Sequence, residues 1–548
     1  MDQVFLSRLQ FAFTASYHFI FVPITIGIGL ITAIFVTMAY RSKKPEDDAL
    51  AYLWVKIYTA TFAIGVATGI TMEFSFGTNW ANYSRFVGDI FGAPLAAEAL
   101  FAFFLESIFL GFLLFGRGKI KPVLYVVSAW LTFIGSALSA LWILIANSWQ
   151  QTPAGAELSP DGSEALITDF FAAAFNASTG VRYAHTVLSL LVMGAFVAIA
   201  VAAWYMHKKD KSLLESARKM MKVGVIVAII STCCLLVSAH ATASEVWEEQ
   251  PTKMAMMEGL YEADVPGYAI IGYVDETAQE LNALEIPGFT SFLATGTFDT
   301  AYPGLNDLAE TDQFSDVVVT DLDVNVVFQS YHIMVTVFGI LCVVIILALI
   351  FMRKKAKHNI SNMPWLQWLL IISPIFPCIA IQCGWYTAEI GRQPYVVYPA
   401  TSSPEGIQLL TADGTSVSVQ PFELIITLAL FLAVYVLLFV GWARVIARFI
   451  KQGPKPQAVS ANGATMTATV DGDDGAAGVP GAAGSSDTDA AESASGTTAR
   501  SANSDIEEGR ISFRGMVTDQ DAEDYDLDAT TEAFEIDMPS DDEEGEAR

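Results

Sequence analysis

The chain has 548 residues, 53% of them hydrophobic and only 16% charged. Soluble domains carry about 25% charged residues, so this composition is that of a membrane protein. Of the net charge of −28, residues 456–548 contribute −19, from 23 acidic and four basic residues. No basic patch is left to neutralise phosphates, which excludes a nucleic-acid binder. The five cysteines (Cys233, Cys234, Cys342, Cys378, Cys383) lie in apolar stretches without CxxC or metal-ligand spacing. That excludes a disulfide-stapled secreted module.

A hydrocarbon core of ~30 Å takes about 20 apolar helical residues. Nine runs meet this length: 11–39, 54–76, 94–115, 123–146, 183–206, 221–240, 326–351, 364–386 and 421–443. The predicted fold class is therefore all-α, an integral membrane bundle of nine transmembrane helices. The N-terminal MDQVFLSRLQ lacks the basic region and cleavage site of a signal peptide. Lys and Arg cluster at 39–56, 116–122, 207–222, 352–358 and 444–455, in alternate loops. By the positive-inside rule this predicts an outer N-terminus and a cytoplasmic C-terminus.

Two segments are not membrane in character. Residues 241–325 hold 17 acidic residues and one lysine. Their aromatic and β-branched stretches predict a partly folded outer loop. Residues 456–548 are rich in Gly, Ala, Ser, Asp and Thr, too little apolar to offset chain entropy. They are predicted to be a disordered acidic tail attached to a membrane domain of residues 1–450.

Ionisable residues inside a bilayer are costly and mark functional candidates. The runs contain His18, His185, His240, His332, Glu73, Glu98 and Glu106, with Glu389 just past the eighth. Counting from the run ends at 1.5 Å per residue places His18 ~10 Å from the outer end. His185 falls in the first turn of its helix, and His332 and Met334 about two turns into theirs. Three histidines, a methionine and a glutamate thus cluster near the outer level. His and Met are axial haem ligands, and a carboxylate can serve as one. Glu98 and Glu106 lie eight residues apart, about 80° around an ideal helix. With Ser107, Ser139 and Asn147 they form a candidate proton relay. An ion-conducting transporter is the alternative reading of that ladder.

RLQFAFTASYHFIFVP, TMEFSFGTNWANYSRFVGDIFGAPLAAEALFAFFLESIFLG, LWILIANSWQQTPAG, EQPTKMAMMEG and AEIGRQPY together resemble subunit I of the cytochrome bd quinol oxidases over residues 1–450. The resemblance implies a multi-pass subunit of the prokaryotic plasma membrane that oxidises quinol and reduces oxygen to water. It implies vectorial proton uptake without pumping. His18 and Glu389 correspond to the ligands of two high-spin haems, and His185 and Met334 to those of a low-spin haem b. The expected cofactors are low-spin haem b, high-spin haem b and haem d, with haem b replacing haem d in some members. Lys253 and Glu258 correspond to the quinol site, and Glu98 and Glu106 to the proton path. Arg392 is expected beside the haem propionates, with Trp385 as an aromatic neighbour. Quinol, oxygen, membrane lipid, a second subunit in a heterodimer and small accessory subunits are the implied partners. The chain departs from the family pattern at Tyr395, often Trp, and at His332, often Arg. His332 is thereby a rival to Met334 as ligand. The 241–325 loop departs most, in length and acidity.

Overall fold

The structure is a computed structural model that describes residues 2–352 and 359–455. The predicted tail at 456–548 and most of the basic cluster at 352–358 lie outside the described residues. Among the described residues, nine helical segments are long and apolar enough to cross a membrane. They are α1 (Gln3–Ser42), α2 (Pro45–Thr78), α3 (Gly88–Phe115), α4 (Pro122–Gln151), α5 (Thr179–Lys208), α6 (Leu214–Glu249), α8 (Val324–Phe351), α9 (Pro364–Ile390) and α10 (Pro421–Gln452). A short helix, α7 (Pro251–Glu258), follows α6 after Gln250. Every predicted run falls inside one of the nine.

Seven of the nine helices begin earlier than their apolar runs, because polar first turns do not register as hydropathy. α1 starts at Gln3, so His18 lies about 22 Å along it at 1.5 Å per residue, not ~10 Å. His185 sits in the second turn of α5, and Glu389 in the last turn of α9.

α1, α2, α5 and α6 form the densest part of the core, with Phe35, Trp54, Tyr58, Phe196 and Tyr205 fully buried. α1 crosses α5 with backbones almost touching. A Cβ added at Gly27 would lie 2.2 Å from the Leu190 carbonyl oxygen, and one at Gly194 would lie 2.0 Å from the Gly27 carbonyl carbon. Small residues let helices approach this closely where lipid gives no hydrophobic drive to associate. α3 is not α-helical throughout: Glu98–Phe103 is a π-helical stretch.

The segment between α6 and α8 folds on the end of the bundle. Gly259 takes φ +68, which stops α7 directly after Glu258. A hairpin follows, β1 (Tyr268–Asp275) paired antiparallel with β2 (Glu280–Ile286). It is pinned to the first turns of α8: the Asn325 side chain accepts from the Val274 amide at 3.0 Å, and the Gln329 amide donates to the Gly272 carbonyl at 2.7 Å. Met254, Met256, Tyr261, Val274, Phe314, Phe328 and Tyr398 give this segment its own apolar core.

Candidate functional site

The site is built around α9. At residue 16, α1 meets α9: the Ser16 hydroxyl lies 2.9 Å from the Tyr386 hydroxyl, and the Gln382 amide donates to the Ser16 carbonyl at 2.8 Å. Between Gln382 and Tyr386, α9 meets α8, where a Cβ added at Gly384 would come within 2.9 Å of the Met334 sulfur. At its end, α9 meets α4. Asn147 donates to Glu389 at 3.0 Å, and Gln151 reaches the same carboxylate oxygen at 3.4 Å. The other Glu389 oxygen accepts from Arg392. Arg182, one turn before His185 on α5, donates to Asn147 at 2.6 Å. Ser16 and Arg182, two and three residues before His18 and His185, thus contact α9 and α4, as do Met334 and Glu389 themselves, while His18 and His185 turn to α2 and α6.

The network extends into α7. Lys253 is 2% exposed, and its ammonium donates to Gln151 and Gln250. Its stem packs on Gly391, between Glu389 and Arg392 in sequence. Burial, with Arg182 and Arg392 nearby, pushes its pKa well below the ordinary value, while Glu245 and Glu389 oppose this. Arg392 is 5% exposed and also donates to the Val396 carbonyl. Trp385 stacks loosely on Phe11, ring centroids 6.5 Å apart, within an aromatic group that includes Trp80.

Glu258 lies elsewhere. It is fully buried, accepts a hydrogen bond from Thr290 at 3.2 Å on one oxygen, and leaves the other without a partner. Burial, reinforced by Glu285, raises its pKa to about 8 against the opposing Thr290 bond. Lys253 and Glu258 share no hydrogen-bond partner: the lysine turns to Gln151 and Gln250 and the glutamate to Thr290.

The two carboxylates of α3 both reach α4. Ser139 donates to Glu98 at 2.7 Å. Glu106 accepts from Ser136 and, at 2.6 Å, from the Tyr58 hydroxyl. The expected offset of about 80° assumed an unbroken α-helix; the π-helical turn between the two changes the angle and lets both side chains face one neighbour. Ser136, Ser139 and Asn147 share one face of α4, which therefore carries polar contacts from Glu106 past Glu98 to Glu389. Glu73 and His240 are exposed.

Sequence reasoning missed Tyr58, Ser136, Gln151, Gln250 and Glu245. Ser107 was expected beside Glu106, but Tyr58 and Ser136 occupy that role. The run of glutamines in SWQQTP and EEQPTK was the only signal, and glutamine alone does not distinguish a network from a surface.

A family profile described as cytochrome bd terminal oxidase subunit I matches residues 6–454. The chain belongs to the cytochrome bd terminal oxidase subunit I family. It is 32% identical to the cytochrome bd-II ubiquinol oxidase subunit 1 of Escherichia coli K12, covering 83% of this chain and 97% of that one. It is 33% identical to the cytochrome bd ubiquinol oxidase subunit 1 of Bacillus subtilis 168, covering 83% and 94%. The bd oxidase structure from Geobacillus thermodenitrificans matches with a TM-score of 0.71 at 27% identity, over 82% of this chain and 99% of that chain. As a bd oxidase subunit I, the chain is an oxidoreductase and a multi-pass plasma-membrane protein.

The bd family implies haem, and the residues fit it. Thr68 gives its hydroxyl proton to the Ile64 carbonyl at 2.9 Å, so its oxygen accepts from His18 Nδ1, 2.8 Å away. That tautomer leaves the His18 Nε2 lone pair for a metal. Ser238 does the same for His185, donating to the Leu235 carbonyl at 3.0 Å with its oxygen 3.5 Å from Nδ1, at the outer limit of a hydrogen bond. The Met334 sulfur faces a glycine, Gly384. The Nε atoms of Arg182 and Arg392 are buried without a hydrogen bond, as cations awaiting anionic propionates would be.

Proposed function

We propose that this subunit binds two high-spin haems and one low-spin haem b and, with a second subunit, couples quinol oxidation to the reduction of oxygen to water. The single observation that carries the reading is the joined network Arg182–Asn147–Glu389–Arg392 with Gln151–Lys253. It collects buried charge from four segments around Glu389 and one turn from His185. When bound, the haems supply electron transfer and the chemistry of oxygen reduction.

His18 and Glu389 each hold one high-spin iron, belonging to haem b and to haem d or a further haem b. His185 and Met334 hold the low-spin haem b. A carboxylate has about four lone-pair sites, so Glu389 keeps one for iron while Arg392, Asn147 and Gln151 orient it. Arg392, Arg182 and Lys253 neutralise propionates, and Trp385 packs beside the macrocycle. Glu258 accepts a proton from the quinol hydroxyl, the role its raised pKa near 8 suits. Glu106 and Glu98 pass protons from the cytoplasmic side along the Ser136 and Ser139 face of α4. The alternating Lys and Arg clusters support an outer N-terminus and an outer quinol loop, so protons are released outside and taken up inside without pumping.

The test is the complex purified with its partner subunit. Reduced-minus-oxidised spectra, pyridine haemochromogens and quinol-dependent oxygen uptake are measured on one sample. Haem b bands with rapid uptake are expected, and a band at the red end assigns haem d. Absent haem bands with ion flux in vesicles overturn the oxidase reading in favour of a transporter.

A further inference from the structure

His332 faces away from Met334. Its Nδ1 lies 2.8 Å from the Phe328 carbonyl of its own helix, a contact that requires the proton on Nδ1. Nε2 therefore carries a lone pair, and it is buried without a hydrogen-bond partner. The ring lies among Phe328, Tyr331 and, from hairpin strand β1, Tyr268, at centroid distances of 4.1, 4.9 and 5.5 Å. Glu258 reaches the same surroundings: Thr290, which donates to it, also lies 3.3 Å from the carbonyl of Gly267, next to Tyr268, and a Cβ added at Gly259 would lie 3.6 Å from the Phe328 ring. Glu258 and His332 thus approach the same aromatic group, from α7 and α8. Each presents one buried acceptor atom with no partner, Glu258 Oε1 and His332 Nε2. Leaving two buried acceptors unmatched is costly, and their shared neighbours are aromatic.

A quinol headgroup has the complementary chemistry: a flat ring that stacks on aromatics and two hydroxyl donors at opposite ends. We propose that His332 is the second hydrogen-bonding residue of the quinol site, its Nε2 accepting from one quinol hydroxyl while Glu258 takes the other. This rests on the reading that Glu258 marks that site. An arginine at this position has five donors and no acceptor, so it could not play this part. In this chain the position is a specificity-determining contact.

The experiment compares His332→Phe, His332→Gln and His332→Arg with Glu258→Gln in the whole complex. Oxygen uptake is measured with decylubiquinol and with menadiol, alongside the haem spectrum. His332→Phe and His332→Arg should raise the quinol KM about tenfold, with the low-spin spectrum retained. His332→Gln keeps an acceptor oxygen and should stay within about threefold of the parent. An unchanged KM in the Phe and Arg variants, while Glu258→Gln is impaired, overturns the His332 role alone. Normal kinetics in all four variants overturn the placement of the quinol site as well. Loss of the low-spin signal in His332→Gln and His332→Arg makes His332 a haem-holding residue and overturns the proposal. Where the Phe variant fails to assemble, the Gln and Arg pair decides, since only Gln retains an acceptor.

Discussion

Lys253 and Glu258 stand five residues apart on α7 and look into different surroundings. The lysine joins Gln151 and Gln250 beside the Glu389 network, whereas the glutamate turns to Thr290 and the hairpin. Five residues on a helix rotate by about 140°, so one short element serves two compartments. The motif therefore joins the proposed quinol site to the buried charge network through the backbone of α7.

Glu258→Gln should cut quinol turnover at least tenfold while leaving the haem spectrum intact, and an artificial donor that reduces the haems directly should bypass the defect. The pH profile carries the sign. A carboxyl with pKa about 8 is protonated below that value and cannot accept a proton. Quinol turnover should therefore rise with pH through about 8, and that limb should vanish in Glu258→Gln. A parent profile flat from pH 6 to 9 would remove Glu258 from the proton-accepting role.

His185→Ala and Met334→Ala should each abolish the low-spin haem signal and leave high-spin haem. Gly384→Ala is a subtler probe. Its new Cβ comes within 2.9 Å of the Met334 sulfur and must displace it. The low-spin band should shift or weaken, with little change in the high-spin bands. A normal low-spin spectrum in Met334→Ala would point to another ligand.

Glu106→Gln should slow turnover severely, because on the proposed path its buried carboxyl is the innermost proton carrier of the α4 face. Tyr58→Phe removes one hydrogen bond of 2.6 Å to that carboxylate and should cost several-fold, in line with ~1 kcal/mol. Both variants should keep normal haem spectra and reduce normally with quinol under anaerobic conditions. Equal oxygen uptake in Glu106→Gln and parent would show that protons enter by another route.

Gly27→Leu should destabilise the bundle without touching the chemistry. Its Cβ alone would land 2.2 Å from the Leu190 carbonyl, forcing α1 and α5 apart. Overpacking of this kind costs about 1–3 kcal/mol or more. Thermal loss of haem in detergent, followed by absorbance, should occur several degrees lower than in the parent.

Removal of residues 456–548 should leave turnover within about twofold. That segment has little apolar content with which to dock, and its charges repel one another. A large loss of activity at normal expression would reveal a contact with a cytoplasmic partner.

The nine spans were legible in the sequence because a hydrocarbon core asks only for length and apolarity, properties each segment carries by itself. The candidate ligand positions His18, His185, Met334 and Glu389 were proposed from short motifs for a related reason: each motif is local. What the sequence by itself did not determine was direction and partnership. Tyr58 and Glu106 are 48 residues apart, and Asn147 and Glu389 are 242 apart. No periodicity within one helix reports which neighbour it meets. The angle between Glu98 and Glu106 also escaped, because a π-helical turn replaces the ideal geometry that sequence arithmetic assumes. His332 and Met334 lie two residues apart and looked like rivals. Only the packing of β1 on one side of α8 and of Gly384 on the other sends the imidazole to the loop and the sulfur to α9. Tertiary structure decided these points because a buried polar group is defined by what lies across from it, and in this protein that group comes from a different helix.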